Sequence, residues 1–87
     1  MAKRVIYRKI RVLSFGGGDK EHIFIADENN FVERHANSVC ERNKDGAVVS
    51  HRHDTTGMCI DCKRWLSTWE IDSVDDNLWI LSKEINF

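Results

Sequence analysis

Eighty-seven residues are enough for one domain but bury only a modest share of their surface, so a chain of this size gains from an added staple. Thirteen Lys and Arg against fourteen Asp and Glu leave a net charge of −1, which excludes a general electrostatic affinity of the whole chain for nucleic acid. Three cysteines are an odd number, which argues against a complete disulfide framework and for a reducing, cytoplasmic compartment.

The chain opens Met1-Ala2-Lys3-Arg4 and runs into Arg8, Lys9 and Arg11 rather than into an apolar signal-peptide core. No stretch is long enough to cross a membrane, and none is expected to. Residues 4–15, RVIYRKIRVLSF, are rich in β-branched and aromatic residues and predict a strand. Neither of its faces is cleanly apolar, which suits an edge position or a strand that leaves its sheet part way. The basic residues around Tyr7 form a second candidate surface, with Arg8, Lys9 and Arg11 contacting phosphates and the ring stacking on a base.

Gly16-Gly17-Gly18-Asp19 predicts a hairpin connection. A phosphate loop would need its Lys-Ser/Thr and a following helix, and an apolar run follows instead. Residues 22–26, HIFIA, read as a short buried strand, and residues 27–30 as a turn. Residues 31–40, FVERHANSVC, fit helical spacing and strand alternation alike; a strand is preferred because it feeds the next hairpin. His22 and His35 read as ordinary surface or core histidines.

Residues 39–65 hold all three cysteines and two of the four histidines. Asp45-Gly46 is a strong type I′ hairpin signal. Counting outward from it sets Cys40 opposite His51, with His53 diagonal on the same face. Cys59-Ile60-Asp61-Cys62 then brings two thiolates to one point, as a tetrahedral ion requires. The expected ligands are Cys40, His53, Cys59 and Cys62, with His51 competing for the fourth position; three sulfurs and one nitrogen suit a single structural Zn²⁺.

Residues 63–69 predict about two turns of helix, with Trp65, Trp69, Cys62 and Leu66 on one face. Residues 72–77 read as a polar loop and residues 78–87, LWILSKEINF, as a final strand. Of the three tryptophans, Trp65 and Trp79 are candidates for partner contact, since tryptophan is enriched in binding hot spots. Charge is uneven: Lys3, Arg4, Arg8, Lys9 and Arg11 open the chain, whereas Glu70, Asp72, Asp75, Asp76 and Glu84 close it against Lys83 alone.

The run AVVSHRHDTTGMCIDC resembles the zinc-stapled ββα-metal nucleases of the HNH and endonuclease VII type. That resemblance implies a structural zinc on His35, Cys40, Cys59 and Cys62, with His51 or His53 as general base and Asp54 holding Mg²⁺. It covers about twenty residues, and the helix after Cys62 offers no asparagine or histidine for the second metal. The preferred reading is a single zinc-stabilised α+β domain over residues 1–87, a small antiparallel sheet of meander and hairpins with one short helix. Its expected role is binding, as a regulator or inhibitor of a larger protein or protein–nucleic-acid complex; the nuclease and direct nucleic-acid binding are the alternatives.

Overall fold

A computed structural model describes residues 3–16, 18–41, 48–50, 55–76 and 78–86. Strand β1 (Lys3–Phe15) is followed by β2 (Glu21–Ile25), the two-residue β3 (Val49–Ser50), helix α1 (Ile60–Leu66), β4 (Glu70–Asp75) and β5 (Leu78–Asn86). All pair antiparallel in one sheet of order β2-β1-β5-β4, with β3 added to the end of β1. This is the small antiparallel sheet with one short helix that the sequence predicts.

The charges inside β1 follow from a change of environment along it. Residues 3–9 pair with β5 and are almost wholly exposed, whereas Ile10, Val12, Leu13, Ser14 and Phe15 are buried. Residues 10–14 have β2 as partner, from Ile10 opposite Ile25 to Ser14 opposite Glu21. The buried half carries apolar groups to both faces, as the two-residue period dictates. On one side Ile10, Val12, Ile23, Leu81 and Cys62 pack together, covered by Trp65, Leu66, Trp69 and Trp79. On the other, Leu13, Phe15, Phe24 and Val32 form a second cluster, with Phe15 edge-on to Phe24 at 5.3 Å. The exposed half projects from this core with β5 and β4, giving extents of 47 × 26 × 22 Å.

Three local expectations are corrected. Residues 31–40 form turns and irregular chain rather than a strand, because their hydrogen bonds go elsewhere. The Asp27 carboxylate accepts from the amides of Asn29 and Phe31 at 2.9 Å, an Asx turn that redirects the chain. The Ala36 amide donates to Glu33 and the Val39 amide to Ile23. Residues 72–75, expected in a loop, belong to β4, whose Val74 faces Trp79 and whose Ser73 faces Ile80. Beyond Asp75, Asp76 lies in a turn with φ 55°. Finally, α1 begins inside the CxxC rather than after it, and Trp69 lies beyond its Ser67 C-cap. The Trp65 and Trp69 rings still meet, with centroids 5.4 Å apart.

The Asp45-Gly46 turn lies outside the described residues, as do His51, His53 and Asp54. Of the hairpin arms expected around that turn, Cys40 sits in a turn, and β3 pairs with Ser14 and Phe15 of β1. Among the described residues no helix is long and apolar enough to cross a membrane.

Candidate metal centre

A strand at the edge of a sheet leaves every second amide and carbonyl to be satisfied from outside. In β2 those groups include the amides and carbonyls of Glu21 and Ile23, and all four find a partner. The Glu21 amide donates to the Gly57 carbonyl at 2.7 Å, and its carbonyl accepts from the Cys59 amide at 2.8 Å. The Ile23 carbonyl accepts from the Val39 amide at 2.9 Å, while the Ile23 amide donates to Cys62 Sγ at 3.4 Å. Edge satisfaction therefore draws the segments of Cys40, Cys59 and Cys62 to one place beside His22.

Each ligand has its own local support. Gly57 takes φ +120°, a conformation that residues with a Cβ rarely adopt, and aims the chain along residues 19–21. Thr56 anchors there by donating its amide to the Asp19 carbonyl at 2.7 Å, and the Thr55 hydroxyl donates to Glu21 Oε1 at 3.0 Å. Cys59 is the N-cap of α1 and Cys62 sits in its first turn, so the two sulfurs share the side of the helix that faces β2. Cys40 occupies a turn closed by the Glu41 amide donating to the Ser38 carbonyl. The buried Ser38 hydroxyl lies 3.1 Å from Cys40 Sγ. His22 is oriented by its ring against Phe15, 5.0 Å between centroids.

The donor atoms of His22, Cys40, Cys59 and Cys62 all lie within 4.8 Å of one another. Cys40 Sγ is 3.5 Å and Cys62 Sγ 3.9 Å from His22 Nδ1, and Cys59 Sγ is 4.0 Å from Cys40 Sγ. A tetrahedral ion with bonds of about 2.3 Å to sulfur and about 2.0 Å to nitrogen needs edges of about 3.8 Å between sulfurs and about 3.5 Å from sulfur to nitrogen. These three separations lie within about 0.4 Å of such edges, and all four donors lie within 4.8 Å of one another. All three cysteines are free thiols rather than disulfide-bonded, and the group can hold a metal ion.

Electrostatics favour the same use. Burial pushes the Cys62 thiol up to about 12, against the Ile23 amide that lowers it, and the neighbouring Cys40 and Cys59 raise it further. Three thiolates cannot coexist there without a cation to offset their repulsion. Burial lowers the His22 pKa, which keeps the imidazole neutral and its nitrogen lone pair available for a metal.

The cluster contains the three cysteines expected from the sequence together with His22, which the sequence reads as an ordinary histidine. His53 and His51 fall outside the described residues. His22 stands 18 residues from Cys40 and 40 from Cys62, and no local motif joins it to them. His35, the ligand implied by the nuclease resemblance, is exposed and stands outside the cluster. Trp65 and Trp79 are half-buried against the core beside Cys62, Arg8 and Lys9 are exposed, and Arg11 is half-buried. The chain matches no family model, and no curated protein or solved structure matches it.

Proposed function

We propose that His22, Cys40, Cys59 and Cys62 bind one structural Zn²⁺, and that the chain is a zinc-stapled interaction module regulating or inhibiting a larger protein or protein–nucleic-acid complex. The observation that carries the metal reading is the meeting of four donors from three separate segments within 4.8 Å of one another. Three sulfurs and one nitrogen are the soft, borderline set that zinc takes, and four protein ligands leave no open position for a reacting water. Binding rather than catalysis is supported by the projecting half of the sheet, where residues 3–9 of β1 and all of β4 are exposed apart from a half-buried Ile6. Strands that are not needed for the core are available to a partner. The nuclease alternative requires His35 in the metal set and draws no support from the cluster.

The test is elemental mass spectrometry of purified protein with its His22→Ala, His35→Ala, His51→Ala and His53→Ala variants. One zinc per chain, lost with His22→Ala and kept in the other three, is the expected result. Zinc kept without His22 but lost with His53→Ala would return the fourth position to the hairpin histidine. Absence of metal from the unaltered protein would overturn the reading.

A further inference from the structure

The projecting half of β1 has an open edge, distinct from the edge of β2 at the candidate metal site. The Lys9 carbonyl accepts from the Ala26 amide at 2.9 Å, and the β1–β2 register stops at Ile10 opposite Ile25. By the two-residue period, the odd positions of β1 direct their backbone groups to that side and the even positions to β5. Lys3, Val5 and Tyr7 therefore present amides and carbonyls to a side where, among the described residues, no strand pairs. The Arg8 guanidinium donates to the Tyr7 carbonyl at 3.0 Å in an exposed contact, a cap that an incoming strand can displace.

We propose that this edge captures an acidic, extended peptide segment of a partner protein as an added strand; the inference names the partner chemistry of the interaction module proposed above and rests on that reading. Residues 3–9, KRVIYRK, hold four cations and no acid. Basic side chains at an edge oppose pairing with another basic strand, and the same charges select an acidic one. The opposite edge of β1 already shows the preference, since Lys3 pairs with Glu84 of β5 at 3.5 Å. One face of the open half carries Lys3, Val5, Tyr7 and Lys9 in alternation, with Val5 49% and Tyr7 62% exposed. It fits a strand whose alternate side chains run acid, apolar, apolar, acid, with main-chain hydrogen bonds supplying affinity and these positions specificity. Extended nucleic acid lacks the amides that such an edge pairs with, and acidic β4 on the same sheet opposes it.

The test uses fluorescence anisotropy with a labelled, capped peptide whose alternate residues read Glu, Val, Val, Glu with Thr between them, on protein whose zinc content has been measured. Val5→Pro removes an outward amide without breaking any described hydrogen bond, and Lys9→Glu reverses one charge. The expected result is saturable capture, about tenfold weaker in Val5→Pro, the equivalent of losing one main-chain bond to the added strand, and weaker again in Lys9→Glu. Retained circular dichroism and zinc content show that the variants are folded. No capture by zinc-loaded protein, or capture indifferent to Val5→Pro, overturns the open-edge proposal and leaves the zinc reading standing; lack of zinc removes both. Self-association sensitive to Val5→Pro would assign the edge to a second copy, and preference for an oligonucleotide over the peptide would assign it to nucleic acid; either result overturns the proposal.

Discussion

The Ile23 amide donates to Cys62 Sγ across 3.4 Å, so one outward amide of edge strand β2 is satisfied by a sulfur. An ion bound by Cys62 would be joined directly to the sheet backbone, and the donated bond favours the thiolate over the thiol. The same Cys62 packs with Ile10, Val12, Ile23 and Leu81 in the core. The candidate metal site and the hydrophobic core are therefore one structural unit.

Metal removal should consequently unfold more than a loop. Treating the protein with a strong zinc chelator should lower the midpoint of thermal unfolding by about 20 °C or more, at about 4–8 °C per kcal/mol for a domain of this size. Circular dichroism with and without chelator measures it, and an unchanged midpoint would show that the core stands without an ion.

Acid and alkali should each destabilise the metal-free protein. The His22 pKa is lowered from 6.5 by burial, so stability present above 6.5 is lost as pH falls from there through the lower folded value, the unfolded chain binding the extra proton. Cys62 runs from an ordinary 9.0 up to about 12 in the fold, so stability present below 9.0 is lost as pH rises toward about 12. Urea midpoints of metal-free protein should peak between these limits. Zinc-loaded protein should lose the alkaline fall, because its Cys62 is already a thiolate.

Ser38→Ala should weaken the site without removing a ligand. Its buried hydroxyl stands 3.1 Å from Cys40 Sγ, close enough to donate to the thiolate and hold its orientation. Loss of a support of this kind typically costs about 10–100-fold in metal affinity. Competition with a chromophoric zinc chelator reads the constant directly; equal affinities would mean that the hydroxyl donates elsewhere.

Leu81→Ala should destabilise zinc-loaded protein by about 2–5 kcal/mol, the range for truncating a large side chain in a closed core. Leu81 is 0% exposed and lies on β5 at the centre of the cluster that α1 covers. Ile71→Ala is the control: Ile71 sits opposite Leu81 across the β4–β5 pair but is 50% exposed, and its denaturation midpoint should shift far less.

Much of this arrangement is legible in the residues. β-Branched and aromatic runs with period-two burial place β1, β2 and β5 within a residue or two, since strand formation there depends on neighbours in sequence. The CxxC names two of the clustered donors because a short turn alone makes its sulfurs converge, and Cys40 was expected beside them. Strand β4 was hidden by its acids: as a fully exposed edge it needs only one partner for its backbone, so Asp72 and Asp75 carry no desolvation cost that the sequence would have had to avoid. The signal for it was present in β-branched Ile71 and Val74 ahead of Asp76.

What the sequence determined by itself is therefore strands β1, β2 and β5, a short helix at the CxxC and the gathering of sulfur donors there, all set by interactions a few residues long. Tertiary structure alone decided that residues 31–40 stay irregular and that His22 joins the cysteines. Both follow from the outward backbone groups of Glu21 and Ile23, whose need for partners could be met only by segments far along the chain, Gly57, Cys59, Cys62 and Val39. Satisfying that edge brought the sulfurs to His22, and no pattern local to His22 could announce it.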